Sequence, residues 1–260
     1  MRNIWTIARR EYRHYFTSPI AYIAALLALL TVGIYFVVII YYLTNQSYYN
    51  NSAPGVDIIV GPLATVFLFA TPALTMRLLA DEQRMGTLEL LLTTPIKDGE
   101  LVVGKWLGAF LFMLTIIGIT LVYPIVLNKL TSPGIDQGVL ISAYIGIILL
   151  SAVFLAIGTA MSSFFTNQFA AFFATLAVLI LFWWLIRLPT YIIQNDSINN
   201  IFNYLDLSGR FNSLVGGTMS ISDVIYPISL TALGLFLGSI AVEIRRWREW
   251  LRQGIRKKSR

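Results

Sequence analysis

Of the 260 residues, 57% are hydrophobic and only 12% are charged, which is too few charged side chains to cover a soluble domain, where about a quarter is typical. The chain has no cysteine, which excludes disulfide and thiolate chemistry, and one histidine cannot form a histidine metal cluster by itself. The formal net charge of +6 would suit nucleic-acid binding, but its distribution along the chain favours a different explanation, given below. The composition therefore predicts an integral membrane protein.

Six apolar stretches are each long enough to cross about 30 Å of hydrocarbon as a helix. In chain order they are residues 20–43, 57–79, 101–127, 138–161, 169–188 and 224–244. Their hydrophobicity is continuous rather than alternating, which argues against a membrane β-barrel, and backbone groups in lipid must pair within the segment. The predicted fold is therefore all-α, with six transmembrane helices in one domain over residues 1–260.

The residues before the first span, 1–18, are predicted to form an amphipathic helix lying in the membrane interface. Apolar and aromatic residues fall on one helical face and basic or polar residues on the other: Ile4, Ala8, Tyr12 and Tyr15 against Arg2, Thr6, Arg9 and Arg13. A merely basic flank to the first span is the alternative.

The basic residues indicate the orientation. All but three of the 19 Lys and Arg residues lie before the first span, in or beside the segment between spans two and three, or in the tail 245–260; the exceptions are Lys129, Arg187 and Arg210. An even number of spans places both termini on one side, and the positive-inside rule assigns that side to the cytoplasm. We expect a multi-pass protein of the bacterial inner membrane with both termini cytoplasmic, whose positive charge reflects topology rather than nucleic-acid binding.

A partial match to the phosphate-binding P-loop pattern runs from Gly99 to Lys105. Trp106 stands where the pattern needs a hydroxyl for Mg²⁺, Glu100 would place a negative charge against phosphate, and residues 101–103 begin a span rather than a loop. We therefore predict that this chain binds no nucleotide or other cofactor. An integral-membrane enzyme is the weaker alternative, because no catalytic set is visible.

The segment between the second and third spans, residues 80–98, carries the clearest functional pattern. After its initial charges, Thr87 can cap a following helix, residues 88–92 supply an apolar face, and Pro95 ends the helix. The pattern predicts a short helix held parallel to the membrane on the cytoplasmic side, which can insert into a groove of a soluble partner.

Three motifs in this chain resemble the permeases of type-2 ATP-binding-cassette (ABC-2) transporters. The first is Glu82-x-Arg84-x-Gly86-Thr87-Leu88-Glu89-x-Leu91-x-x-x-Pro95 followed by Leu101-Val102-x-Gly104-Lys105; the second is Gly158-x-x-x-Ser162-Ser163-x-x-Thr166-Asn167-Gln168-x-x-Ala171; the third is Ser208-x-x-x-Phe211, Gly217, Asp223-x-x-Tyr226 and the ending Glu243-x-Arg245-Arg246-Trp247. The third motif is similar to the branch that includes the gliding-motility-associated permease. The resemblance covers nearly the whole chain.

The resemblance implies a permease that works as two six-span halves, from a second copy or a homologous permease, with separate ATPase subunits that bind ATP and Mg. It identifies the segment 80–98 as the coupling helix that contacts the ATPase, with these candidate coupling residues: Asp81, Glu82, Arg84, Gly86, Thr87, Glu89 and Pro95. It also implies that the outer segment 189–223 forms short re-entrant or interfacial helices, with these candidate gate residues: Phe211, Gly217, Asp223 and Tyr226. A membrane-anchored accessory subunit is a further expected partner. The alternative is a non-transporting anchor that transmits ATPase-driven force to an envelope or gliding-motility assembly.

Two further patterns leave alternatives open. Pro62 and Pro72 lie inside the second span, where they predict either a hinge or an inert kink. Gly234 and Gly238 in the sixth span predict close helix packing, within the chain or between protomers.

Overall fold

Every element is a helix in the computed structural model, which describes residues 2–45, 54–85, 97–131, 134–192 and 195–258. The α-helices are α1 (Arg2–Tyr15), α2 (Pro19–Asn45), α3 (Asp57–Thr75), α4 (Ala80–Arg84), α5 (Asp98–Thr120), α6 (Val122–Leu130), α7 (Gln137–Phe164), α8 (Gln168–Trp183), α9 (Leu188–Ile192), α10 (Asp196–Leu205), α11 (Leu207–Val215) and α12 (Ile221–Lys258). A 3₁₀ turn, Leu185–Arg187, precedes α9. The all-α prediction is confirmed.

Six helical segments are long and apolar enough to cross a membrane. They are Pro19–Tyr42, Asp57–Arg84, Asp98–Leu130, Gln137–Phe164, Gln168–Ile192 and Ile221–Trp247. This number and order agree with the six predicted spans, and the chain is an integral membrane protein.

Each of the six spans differs from its predicted bounds by a few residues. The span predicted over residues 101–127 is observed as Asp98–Leu130. The helix that contains the predicted span 224–244 does not end there but continues as α12 to Lys258. Hydropathy marks where a chain leaves the apolar layer, but a helix ends only where the residues stop favouring it. No proline follows Pro227, so the helix runs on into the basic tail.

The second span is interrupted near its end rather than continuous to residue 79. Pro72 removes one backbone hydrogen bond from the last part of α3, which ends at Thr75. The Ser162 hydroxyl of α7 accepts hydrogen bonds from the backbone N–H groups of Leu79 at 3.0 Å and Ala80 at 3.2 Å, at the start of α4. A side chain from another span therefore fixes where the second span turns into α4.

Helix α1 lies along α5 at a distance that only glycine permits. A Cβ added at Gly104 would lie 2.8 Å from Ile7 Cβ, and one added at Gly108 would lie 2.6 Å from Glu11 Cβ and 2.9 Å from the Ala8 carbonyl oxygen. Ile7 and Ala8 are buried, whereas basic residues of α1 such as Arg9 face outward. The inward face of the amphipathic α1 is thus covered by α5; its depth in the membrane interface stays a prediction.

Helix α7 is the central helix of the bundle, because 72% of its most apolar window is buried against other helices. Helix α12 packs on it closely: a Cβ at Gly234 would lie 3.1 Å from Ala156, and one at Gly238 would lie 3.5 Å from the Ala160 Cα. These two glycines therefore serve packing within this chain.

Candidate functional site

The predicted coupling residues lie at one end of the bundle, which we call the basic end. It contains α1, α4, the start of α5 and the end of α7. Asp81, Glu82 and Arg84 lie on α4, which directly follows the second span. The other candidates fall outside the described residues: Gly86, Thr87, Glu89 and Pro95.

Glu82 takes part in a buried ionic cluster that joins three helices. The Lys105 ammonium of α5 lies 2.8 Å from Glu82 Oε1 of α4 and 3.1 Å from Glu11 Oε1 of α1. Arg10 lies 3.2 Å from Glu11 Oε1 and 3.8 Å from Glu82 Oε1. Lys105 is only 2% exposed, whereas the Arg10 side chain is 59% exposed. We call these four residues the Lys105 cluster.

The electrostatics of the cluster hold its members together. Burial alone would raise the pKa of Glu11, but the Lys105 ammonium and then the Arg10 guanidinium hold the pKa of that carboxyl below its ordinary value of 4.5. Glu11 is therefore ionised at neutral pH although it is buried. Breaking a buried ion pair leaves an uncompensated charge, which is costly. The cluster consequently ties α4 to α1 and α5.

The rest of α4 is held by the turn between α7 and α8. Gln168 at the start of α8 donates a hydrogen bond to the Asp81 carboxylate, and Gln83 donates one of 3.0 Å to the Ser163 carbonyl oxygen. Arg77 lies 4.0 Å from Asp81. The second sequence motif thus meets the first in space, and α4 rests on the α7–α8 turn while Arg84 faces outward.

Lys105 and Glu11 are members of the site that the sequence pattern does not identify as site residues. In the sequence, Lys105 is a basic residue beside a span, the end of the P-loop-like match and the last residue of the first family motif. In the structure, Gly104 gives α1 room to pack against α5, and Lys105 pairs with two carboxylates. Two signals were available: Lys105 lies inside the apolar α5, and Glu11 is the one acidic residue of α1.

The candidate gate residues lie at the opposite end of the bundle. Asp223, near the start of α12, accepts a hydrogen bond of 2.9 Å from Arg210 of α11, and Arg210 also donates to the Ser222 hydroxyl at 2.7 Å. The Arg210 guanidinium lies over the Tyr204 ring, 4.6 Å from its centroid. The Tyr226 hydroxyl donates to the Leu205 carbonyl oxygen at 2.8 Å. Arg210, which the sequence analysis did not single out as a site residue, is therefore the centre of this group.

Phe211 and Gly217 dock the same segment onto α7 and α8. Phe211 is buried, with its ring centroid 5.7 Å from that of Trp183. Gly217 has a φ of +75°, which favours glycine, and a Cβ there would lie 2.8 Å from a methyl carbon of Val139. The Ser142 hydroxyl of α7 donates to the Leu214 carbonyl oxygen at 2.7 Å. The segment predicted as 189–223 is thus a run of short helices, and its re-entrant or interfacial depth stays a prediction.

The described part of the chain holds no group of three His, Asp or Glu side chains that could bind a metal ion together. The contacts described above at the two ends are ion pairs and hydrogen bonds between helices.

Comparison with known proteins gives a family. The family model described as "ABC-2 family transporter protein" matches residues 5–244. The probable ABC transporter permease protein NosY of Pseudomonas aeruginosa (strain ATCC 15692) is 29% identical over 269 residues, which cover 90% of this chain and 92% of that relative. Because the family match spans almost the whole chain, this protein belongs to the ABC-2 family of transporter proteins.

Proposed function

We propose that this chain is the transmembrane permease subunit of an ATP-binding-cassette transporter. Separate ATPase subunits bind ATP and Mg²⁺ and hydrolyse ATP, and the chain converts their motion into export or gating across the membrane. The family match, the similarity to a probable permease and the six spans support this proposal. In this proposal the chain itself is not an enzyme, because the ATPase subunits hydrolyse ATP.

The observation that carries the proposal is the Lys105 cluster. The predicted coupling segment 80–98 begins at α4, and Glu82 of α4 is 2.8 Å from Lys105 inside the third span. A partner that displaces α4 must either move α1 and α5 with it or separate buried charges, which is costly. Glu82 faces inward in this arrangement, so Arg84 is the exposed residue of α4 that we propose contacts the ATPase.

Helix α12 provides a path from this end of the bundle to the other. Arg246 pairs with Asp98 of α5 at 3.1 Å, and Asp223 on the same helix pairs with Arg210 at 2.9 Å. At 1.5 Å per residue the two positions are roughly 35 Å apart along one continuous helix. A tilt of α5 that moves α12 would therefore also move Asp223 at the far end of α12. We propose that the Arg210–Asp223 ion pair is the latch that holds the outer gate closed.

The proposal fixes an orientation and a set of partners. The basic end is cytoplasmic and the α9–α11 end is external, in a bacterial inner membrane. The ATPase subunits meet the basic end, a second copy or a homologous permease completes the pathway, and a membrane-anchored accessory subunit is a further partner. The distribution of basic residues supports the orientation.

Reconstitution with the partner ATPase in vesicles tests the coupling. Glu82→Gln keeps the side-chain shape but removes the charge that holds α4 to Lys105, so permease-dependent ATP turnover should fall several-fold while the ATPase still co-purifies. Asp57→Asn is the matched control, because Asp57 is an exposed acidic residue at the start of α3, at the end of the bundle opposite to α4. Unchanged turnover in Glu82→Gln would refute the coupling role. ATP-driven conformational change without movement of any screened solute would instead favour the force-transmitting anchor over export.

A further inference from the structure

A cavity of about 410 Å³ opens at the basic end between α1, the end of α3 and α4. We call it the α1–α4 cavity. Its volume lies within the range of small-ligand sites. The coupling proposal does not use this space, since the Lys105 cluster forms only part of its wall.

The lining of the α1–α4 cavity combines two kinds of side chain. Its polar lining includes Arg10, His14, Arg77 and Asp81. Its apolar lining includes Ile20, Leu74 and Leu78. Ile20 belongs to the first turn of the first span and Leu74 to the end of α3, so these apolar residues lie where two spans begin and end. A ligand that contacts both kinds of side chain must itself be amphipathic.

Arg77 is the group best placed to bind an anion. Its side chain is 54% exposed, and its one ion pair among the described residues is with Asp81 at 4.0 Å, which is too long for a hydrogen bond. Asp81 meanwhile accepts a hydrogen bond from Gln168. The Arg77 guanidinium therefore keeps donors in the fork geometry that matches phosphate oxygens. His14 also lines the cavity and offers an imidazole N–H.

The charges of the cavity favour a ligand with no net charge. Three cationic side chains, Arg10, Arg77 and Lys105, line it together with three carboxylates, Glu11, Asp81 and Glu82. A ligand with a single unbalanced charge would leave that charge without compensation in a partly enclosed space, which is unfavourable. A phosphate diester that also carries an ammonium group matches both signs.

We propose that the α1–α4 cavity binds the headgroup of a zwitterionic phospholipid of the phosphoethanolamine type. The phosphate diester lies at Arg77 and His14, the ammonium group lies toward Asp81, and the acyl chains leave over the apolar lining residues. On α2, Tyr22 and Ile23 follow the lining residue Ile20 closely in sequence, and they are 58% and 57% exposed. The apolar lining and these exposed side chains of the first span favour a lipid over a soluble phosphate. This proposal concerns binding alone and stands whether or not α4 meets an ATPase.

Lipid binding to the delipidated, detergent-purified protein tests the proposal, with native mass spectrometry as the measurement. Arg77→Gln should weaken the binding of phosphatidylethanolamine about tenfold, the effect of losing one hydrogen-bonded charge. Arg187→Gln is the matched control, because the Arg187 side chain is 49% exposed and pairs with one carboxylate, Asp206, at 3.7 Å, at the opposite end of the bundle. It should leave the affinity within about twofold of the unmodified protein, on the same scale.

Three ligands separate the possible sources of the phosphate. Phosphatidylethanolamine should bind more tightly than phosphatidylglycerol, which is anionic, and more tightly than glycerophosphoethanolamine, which has no acyl chains. Equal binding of the soluble headgroup would overturn the lipid assignment, and tighter binding of phosphatidylglycerol would overturn the zwitterion assignment. Equal lipid affinity in Arg77→Gln and the unmodified protein would overturn the site.

A measurement on the unmodified protein keeps the proposal testable if Arg77→Gln does not fold. A phosphatidylethanolamine with a photoreactive group near its headgroup should form adducts with peptides that contain residues 10–20 or 73–85. Adducts confined to other peptides would overturn the site.

Discussion

Replacing Lys105 by methionine removes the central cation of the Lys105 cluster while keeping a similar side-chain length. Lys105 is 2% exposed and lies about 3 Å from each of two carboxylates, at 2.8 Å from Glu82 and 3.1 Å from Glu11. At an effective dielectric constant near 20, each contact is worth roughly 5 kcal/mol, and the cost of desolvating the ammonium group offsets much of that. Since the variant leaves two half-paired carboxylates, we expect Lys105→Met to lower the free energy of unfolding by about 3–5 kcal/mol.

Unfolding in mixed detergent, followed by helical circular dichroism, measures this loss. Lys129→Met is the matched control, because Lys129 is exposed and should change the free energy by no more than about 0.5 kcal/mol. The double variant Lys105→Met/Glu11→Gln should be more stable than Lys105→Met alone, since one uncompensated carboxylate is removed. A loss below about 1 kcal/mol for Lys105→Met, or strict additivity of the two changes, would show that Lys105 does not hold the two carboxylates together.

Three further predictions follow from the same structure. The pKa of Glu11 is lower in the folded protein than its ordinary value of 4.5. The stability that ionised Glu11 contributes to the fold should therefore be complete above pH 4.5 and be lost as the pH falls through the lowered pKa. Glu11→Gln should remove this part of the acid dependence from unfolding curves measured in detergent. Gly108→Ala should lower the free energy of unfolding by about 1–3 kcal/mol, because its Cβ would lie 2.9 Å from a backbone oxygen of α1. Gly118→Ala should raise it by up to about 1 kcal/mol, because a Cβ there would meet no atom within 4 Å beyond the neighbouring residues and backbone of its own helix. Equal effects of the two changes would contradict the α1–α5 packing. Arg210→Met should lower stability by about 3 kcal/mol and speed proteolysis of the α10–α11 segment, and adding Asp223→Asn should restore part of both; no recovery would show that the pair is not the latch.

The six spans could be predicted because the thickness of the bilayer fixes the length of an apolar run. Hydropathy could not give the end of α12 or the interruption of the second span. The first depends on helix propensity in a polar tail, and the second depends on Ser162, which is more than 80 residues away from Leu79 and Ala80 along the chain.

The candidate site could be predicted only in part. The charged residues that start the coupling segment are visible as a pattern, and this pattern predicts Glu82 as a site residue. The pairing of Lys105 with Glu82 and Glu11 could not be predicted, because Lys105 meets Glu11 only when α1 folds back along α5 over Gly104 and Gly108. A basic residue within a span and an acidic residue on a basic helix are each visible in the sequence, but their pairing is a property of the packing. Arg210 was missed for the same reason.

Cross-linking shows directly whether α4 contacts the ATPase, and the absence of native cysteine in this chain makes single introduced cysteines unambiguous. We compare Arg84→Cys on α4 with Lys129→Cys on α6, both exposed and at opposite ends of the bundle. If α4 is the contact, the ATPase subunit cross-links to the cysteine at position 84 and not to the one at position 129. Cross-linking at position 129 alone would show that α4 is not the contact.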